Sequence, residues 1–341
     1  MNVRLPAEWE AQDGVLMAWP HEGTDWFPVL GEVRPVFMEI IRQITRFEQV
    51  LLVAPDAASA GEELRAAGLA MDRIRVCELP TNDTWARDFG PITVMYQNQP
   101  VLLDFGFNGW GLKFAANFDN RITAGLKQSG ALRPAAKTIG LVLEGGSIET
   151  DGLGTVLTTE ACLLSPNRNP QLDKGEIEQA LASLLGARRV LWLTRGWLAG
   201  DDTDSHIDTL ARFCPDNTIV YQACDNPVDE HYQELKLMEE ELKAFRAPDG
   251  SAYRLLALPW PTARFDDDAH RLPATYANFL IINGAVLVPT YRDPEKDRVA
   301  VDTIATAFPG REIIAVDCLP LIGQHGSLHC VTMQLPQGAL V

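Results

Sequence analysis

Four short segments of this 341-residue chain concentrate the residue types that nucleophilic and acid–base chemistry requires. In the last of them, 323–334, Cys330 follows a glycine-rich stretch that carries two histidines. A thiol becomes nucleophilic when it is accessible and when positive charge favours the thiolate, and this loop can supply both conditions. The alternative is a buried, inert cysteine, which is the more common environment of this residue. Cys330 is therefore a candidate nucleophile.

The densest polar cluster of the chain, at 201–208, contains four aspartates and one histidine. His206 and Asp208 are two residues apart, so they face the same side of an extended segment. A carboxylate beside an imidazole is a proton-handling pair. A solvated acidic loop is one alternative, and a transition-metal site is another. An EF-hand is excluded because the sixth and twelfth positions, counted from Asp202, hold neither the glycine nor the glutamate that such a loop requires.

Two further segments offer carboxylates at predicted strand ends. In 81–91, Asp88 lies close to Trp85, and a carboxylate with an aromatic face suits a flat cation. Pairing of Asp88 with the adjacent Arg87, or capping of a turn, is the alternative. Glu144 precedes two glycines that permit a close backbone approach, so it is expected to point into a cleft, with an ordinary turn as the alternative.

Together these residue types suit the hydrolysis of a guanidinium group. A guanidinium is planar and protonated, and carboxylates can hold it by paired, charge-assisted hydrogen bonds. Its central carbon can be attacked by a positioned thiolate, and a histidine can protonate the departing nitrogen. The combination predicts a cysteine-dependent amidinohydrolase that releases ammonia and needs neither a metal nor an organic cofactor.

The acidic composition limits the classes of partner. The net charge of −17 repels phosphate backbones and anionic lipid heads, so neither nucleic acid nor membrane is expected as a partner. The same charge attracts a small cationic guanidino substrate, although acidity for solubility alone is the alternative. The six cysteines are too sparse for a disulfide scaffold, and no signal peptide is recognisable, so a cytoplasmic protein is expected. The oligomeric state is left open, homo-oligomer included.

Apolar runs and helical periodicity alternate along the chain and predict an α/β fold with antiparallel pairs. The predicted strands are 50–54, 92–96, 101–105, 155–158, 190–193, 218–222, 279–282, 285–289 and 313–316. The predicted helices are 33–47, 56–67, 174–185, 230–245 and 298–308, with Asp173 and Asp229 as candidate caps of the third and fourth. Asn98 and Asn283-Gly284 lie at expected hairpin turns.

The four segments, read in order, resemble the agmatine deiminase and bacterial-type peptidylarginine deiminase family. The matching pieces run from about residue 5 to residue 335: PAEWE (6–10), AWPH (18–21), NDTWARDFGP (82–91), EGGSI (144–148), TDGLGTVLTT (150–159), NRNP (167–170), GDDTDSHIDTLARF (200–213) and HGSLHCVTMQ (325–334). The resemblance implies one catalytic domain over 1–341. It also implies a five-bladed α/β-propeller, or pentein, of pseudo-repeated ββαβ units around a central active-site channel.

The resemblance also implies roles for individual residues. Cys330 would be the nucleophile and His206 the general acid and base, with Glu144 orienting His206. Asp88 and Asp208 would bind the guanidinium nitrogens, and Trp85 would line the pocket. The implied substrate is agmatine, converted to N-carbamoylputrescine on a route to putrescine.

Two departures from the family pattern concern the far end of the substrate. Ser205 stands where many agmatine deiminases carry glycine, and residues 325–328 replace a glycine run. A peptidylarginine deiminase-type hydrolase, acting on arginine residues or another guanidino compound, is therefore the alternative. An amidino transferase of the same fold, a non-catalytic polyamine-binding protein and a metal-dependent hydrolase are further hypotheses.

Overall fold

The computed structural model describes residues 3–341, which form nineteen strands and ten helices. The strands are β1 (Val3–Arg4), β2 (Gln12–Ala18), β3 (Gln49–Ala54), β4 (Ile74–Glu78), β5 (Ile92–Tyr96), β6 (Gln99–Gly106), β7 (Ala136–Val142), β8 (Ile148–Thr150), β9 (Thr155–Thr159), β10 (Arg189–Leu193), β11 (Ala211–Cys214), β12 (Thr218–Gln222), β13 (Arg254–Leu258), β14 (Arg264–Phe265), β15 (Arg271–Leu272), β16 (Leu280–Ile282), β17 (Ala285–Thr290), β18 (Glu312–Asp317) and β19 (Met333–Pro336). The helices are α1 (Leu30–Ile44), α2 (Ala57–Ala66), α3 (Ala86–Phe89), α4 (Gly109–Leu112), α5 (Ile122–Gln128), α6 (Glu160–Leu163), α7 (Lys174–Leu185), α8 (Tyr232–Ala244), α9 (Pro294–Ala307) and α10 (Leu319–Ile322).

Five of the sheets share one connectivity. In three of them an antiparallel pair is followed by helix and then by a strand parallel to the second: β8-β9-β10, β11-β12-β13 and β16-β17-β18. The sheet β5-β6-β7 has the same order, with β1 added at its edge. In the fifth sheet, β19-β2-β3-β4, the C-terminal strand pairs antiparallel with β2 from the other end of the chain. Each parallel pair therefore has the helical crossover that such pairing requires.

The strands form where apolar runs are bounded by turn residues. All six residues of β17 are buried, as expected for a strand covered on both faces. The hairpins β5–β6 and β16–β17 turn at Asn98 and Gly284, whose φ angles of 62° and 74° lie in the left-handed region. Both predicted hairpins are thus confirmed, and the predicted α/β class is correct.

The predicted helices all form, with small shifts at their ends. The third, α7, has the predicted bounds, and Asp173 makes a reciprocal capping box with Glu176. The prediction that Asp229 caps the fourth helix was wrong. Helix α8 begins at Tyr232, and the Asp229 carboxylate accepts instead from the backbone and ring of His231.

Helix α1 shows how the core forms. Its apolar face, which includes Phe37, Ile40 and Ile44, is buried against the sheet that contains β2 and β3. All six cysteines are unpaired and buried. In the described part of the chain, no helix combines the length and the apolar character that a bilayer-spanning helix requires.

Candidate active site

Each of the five sheets has a polar side chain just before one strand of its antiparallel pair. Asp88 lies four residues before β5, Asp208 three before β11, and Cys330 three before β19. Glu144 precedes β8 by four residues, and Asn278 precedes β16 by two. Equivalent positions of the five units thus each carry one polar residue. The contacts below show that these residues, although far apart in sequence, meet in the folded protein.

Asp88 lies on the one-turn helix α3 and is buried. Its Oδ2 accepts a hydrogen bond from Trp110 Nε1 at 2.9 Å, and its Oδ1 accepts from the Gly146 backbone N–H at 3.0 Å. Burial raises the pKa of Asp88 to about 6, although the nearby His206 opposes this change. The alternative pairing with Arg87 does not occur, because Arg87 binds Gln334 and faces Glu8.

Gly146 marks the point where three candidate residues converge. A Cβ atom at this position would lie 2.6 Å from His206 Nδ1, 2.8 Å from Asp88 Oδ1 and 3.2 Å from Asp208 Oδ2. His206 Nδ1 is 3.6 Å from Asp88 Oδ1. The expectation that His206 and Asp208 share one side of an extended segment was wrong, since His206 immediately precedes a 3-10 turn over Ile207–Thr209. The turn nevertheless brings both side chains beside the same glycine.

His206 is fully buried, and neither ring nitrogen has a hydrogen-bond partner. Burial alone would lower the pKa of His206, but the Asp88 carboxylate, Cys162 and Glu144 together outweigh burial, and the pKa rises to about 10. At neutral pH the ring is therefore an imidazolium, which has protons to donate.

Glu144 lies next to His206 but is engaged elsewhere. Its carboxylate accepts from Arg168 Nε at 2.9 and 3.0 Å, in a pair that is completely buried. Glu144, Cys162 and His206 place one ligand-type atom each within 4.8 Å of one another. Burial raises the pKa of the Cys162 thiol, so Cys162 is a neutral neighbour of the imidazolium.

Asp208 is held from behind by a histidine. Its Oδ2 contacts His329 Nδ1 at 2.7 Å, while its Oδ1 is buried and has no partner. Burial alone would raise the pKa of Asp208, but the hydrogen bond and charge of His329 lower it below the usual value. One ionised oxygen is thus free to accept a further hydrogen bond.

Cys330 lies in the turn before β19, and its Sγ is 3.4 Å from Asn278 Oδ1 and 3.9 Å from Asp208 Oδ2. The same Asn278 oxygen accepts from the backbone N–H groups of His329 and Cys330, so it fixes the turn. The expected electropositive setting is absent from these surroundings. Burial and the charges of Asp208 and Asp88 raise the pKa of the Cys330 thiol well above its ordinary value.

Cys330 and Asp88 line a cavity of about 390 Å³. Trp85 forms part of the wall, and its ring packs against Trp26 and Trp110 at centroid distances of 5.5 and 6.5 Å. Five further aspartates line the cavity, against one lysine: Asp25, Asp83, Asp119, Asp201 and Asp202. Burial raises the pKa of Asp83 and of Asp119 to about 7, so these two are only partly ionised at neutral pH. The lining is nevertheless acidic, and a positively charged ligand is favoured.

The sequence did not identify several residues that shape this site. Asn278, Trp110, His329 and Arg168 each contact a predicted residue directly. Asn278 could have been found by comparing the five units, because it precedes β16 much as the other four residues precede β5, β8, β11 and β19. Trp110 gave no signal, since it lies in a glycine-rich loop without a charged neighbour on either side.

The chain resembles known proteins along nearly its whole length. A sequence profile of the Porphyromonas-type peptidyl-arginine deiminase family matches residues 4–336. Agmatine deiminase of Medicago truncatula is 31% identical over 365 aligned residues, covering 98% of this chain and 96% of that protein. A Porphyromonas gingivalis structure provisionally named arginine deiminase has TM-score 0.94 and 50% identity, covering 99% of this chain and 100% of that one. C. jejuni agmatine deiminase, a Cys-to-Ser variant with substrate bound, has TM-score 0.91 and 38% identity, covering 98% and 97%.

Proposed function

The chain belongs to the Porphyromonas-type peptidyl-arginine deiminase family, and on that premise we propose that it hydrolyses agmatine to N-carbamoylputrescine and ammonia. The observation that carries the proposal is the convergence of a thiol, an imidazolium and two carboxylates beside Gly146 and the cavity. This set matches the requirements of guanidinium hydrolysis: grip on a flat cation, attack at its carbon and protonation of the leaving nitrogen.

Asp88 and Asp208 grip the guanidinium. Asp208 offers an unpartnered oxygen, and Asp88 is oriented by the Trp110 and Gly146 donors. Holding these two carboxylates buried and close together costs free energy, as the raised pKa of Asp88 shows. A bound cation removes that cost, so binding favours the ionised form of Asp88.

The substrate also activates the nucleophile. Without a bound cation the Cys330 thiol is protonated, because burial and the surrounding carboxylates raise its pKa. A guanidinium bound between Asp88 and Asp208 offsets one of their two negative charges and places a cation beside the sulfur, which favours loss of the thiol proton to solvent. Cys330 therefore becomes reactive when substrate is present.

The reaction then proceeds in two displacements. The Cys330 sulfur forms a bond to the guanidinium carbon, His206 transfers its proton to the departing nitrogen, and ammonia leaves behind an amidino-thioether. His206, now neutral, takes a proton from water as the hydroxyl oxygen bonds to the same carbon. The carbon–sulfur bond breaks, the thiolate returns, the hydroxyl proton passes to solvent, and the ureido product departs. Glu144, held by Arg168 next to His206, orients His206 through its charge.

The aspartates around the cavity support agmatine as the substrate. Agmatine carries a guanidinium and an amine and has no carboxylate, so both of its ends suit an acidic cavity. Free arginine brings a carboxylate that the same lining repels. We further propose that residues 1–341 act as one catalytic domain, in which the five sheets are the blades of an α/β-propeller around the site.

A panel of agmatine, arginine and a blocked arginine peptide, assayed for ureido product and ammonia, tests the substrate. We expect agmatine to be the preferred substrate, and Cys330→Ala to abolish turnover while the melting temperature is preserved. Preference for the blocked peptide would contradict the substrate assignment. Full activity of Cys330→Ala would contradict the mechanism.

A further inference from the structure

His329 joins the candidate active site to a buried network of charges behind it. Its Nδ1 contacts Asp208 Oδ2 at 2.7 Å, and its Nε2 contacts Glu8 Oε2 at 2.8 Å. All three side chains are buried. Two carboxylates that face the two nitrogens of one imidazole are both satisfied only when each nitrogen carries a proton.

Glu8 is anchored as firmly as Asp208. Its Oε2 also binds Arg212 Nη2 at 2.9 Å, and its Oε1 accepts from the Ile281 backbone N–H at 2.7 Å. Burial alone would raise the pKa of Glu8, but the charges of His329 and Arg212 lower it below its usual range. Glu8 therefore remains an ionised acceptor that holds His329 from the side away from Asp208.

Further charged or titratable groups surround the Glu8–His329–Asp208 chain. They are Arg87, Glu149 and Arg212 behind it, and Asp88, His206 and Cys330 on the side of the cavity. Arg212 is fully buried and is bound by both Glu8 and Glu149. The charges of Glu8, Arg212 and Glu149 are thus paired with one another, and none of these three residues lines the cavity.

We propose that His329 is a positioning residue: as an imidazolium held by Glu8, it keeps Asp208 ionised and leaves Asp208 Oδ1 as the oxygen that accepts from the guanidinium. This inference rests on the proposed function, because it concerns how Asp208 grips the cation. It assigns a role to the residue adjacent to the nucleophile that the proposed reaction itself does not use.

The first measurement does not depend on any substrate. In ¹⁵N-histidine NMR of the full-length protein, six histidines report, and His329→Gln identifies one set of signals. We expect that set to show a proton on both ring nitrogens in the folded protein, because each nitrogen faces a carboxylate oxygen. A neutral imidazole at pH 7 would overturn the proposal, whether or not agmatine is turned over.

The second measurement uses steady-state kinetics with agmatine. A glutamine at position 329 can still donate a hydrogen bond but carries no charge, so KM should rise roughly tenfold or more, while kcat changes less. The acidic limb of the kcat/KM profile should become steeper, because Asp208 loses the charge that keeps it ionised and its protonation adds to that of Asp88. An unchanged KM and an unchanged limb would overturn the proposal.

The controls separate this role from packing and from failure of the proposed function. His270 pairs with Asp266 at 3.1 Å on the surface, so His270→Gln removes a histidine–carboxylate pair outside the site and should alter neither KM nor the pH profile. The double variant Glu8→Gln/His329→Gln removes the charge of both members of the pair, and the same kinetics are measured on it if the single variant does not fold. Loss of agmatine turnover in the unmodified protein would refute the proposed function alone, since the NMR result would stand.

Discussion

Substitution of Gly146 by alanine tests whether the site geometry described above is the working one. The new methyl group would lie 2.6 Å from His206 Nδ1 and 2.8 Å from Asp88 Oδ1. Non-bonded contacts of carbon are normally about 3.5 Å, so the ring must retreat by roughly 0.9 Å and the carboxylate by roughly 0.7 Å. The Gly146 backbone N–H that holds Asp88 remains, and so the change acts through steric displacement alone.

The size of the effect follows from these displacements. A misplacement of reacting groups by about 1 Å costs on the order of 100-fold in rate, and overpacking of a buried site costs about 1–3 kcal/mol of stability. We therefore expect kcat/KM for agmatine to fall roughly 100-fold, while the protein stays folded with a melting temperature lowered by a few degrees.

The assay is ureido product formation with agmatine, read beside a thermal melt of each variant. Gly140→Ala is the matched control, because a Cβ at that position in β7 meets nothing within 4 Å. It should keep the activity of the unmodified protein. If Gly146→Ala retains kcat/KM within threefold of the unmodified protein, the placement of His206, Asp88 and Asp208 around this glycine is refuted.

Three further outcomes are expected. The value of kcat/KM for agmatine should fall as pH drops through about 6, because burial raises the pKa of Asp88 to about 6 and only its ionised form binds the cation. Asp88→Asn should lower kcat/KM and remove this decrease on the acidic side. A rise of kcat/KM below pH 6 would contradict this reasoning. Trp110→Phe keeps the ring but removes the 2.9 Å hydrogen bond to Asp88, so KM should rise roughly tenfold, and an unchanged KM would exclude that bond from substrate capture. Asp173→Ala should cost about 1 kcal/mol in urea unfolding through loss of the α7 capping box without changing kcat/KM, and equal stability would refute the cap.

Local patterns predicted the elements whose stability is local. The strands β5 and β12 and the helix α7 have the predicted bounds, since a continuous apolar run or a capped amphipathic stripe specifies them. Strand β2 was missed because its antiparallel partner, β19, lies at the other end of the chain. Strand β11 was missed because it contains Arg212, whose burial is possible only through distant carboxylates.

The same division holds for the candidate site. Residue types identified Cys330, His206 and the carboxylates as chemical groups, but the charge around the thiol depends on which distant segments approach it. Asp88 and Asp208 come close to Cys330 only after folding, and they make its setting electronegative, contrary to the expectation from the adjacent histidines. His329 faces the carboxylates of Asp208 and Glu8, and these offset its positive charge, so it does not make the surroundings of the Cys330 sulfur electropositive.

Trapping of the covalent intermediate tests the central claim most directly. The protein is mixed with agmatine, quenched in acid during turnover, and examined by intact and peptide mass spectrometry. We predict an adduct with the mass of agmatine less ammonia, located on the peptide that contains Cys330 and absent from Cys330→Ala. Steady ammonia release without such an adduct, or an adduct on Cys162 or any other cysteine, would contradict attack by Cys330 on a guanidinium held by Asp88 and Asp208.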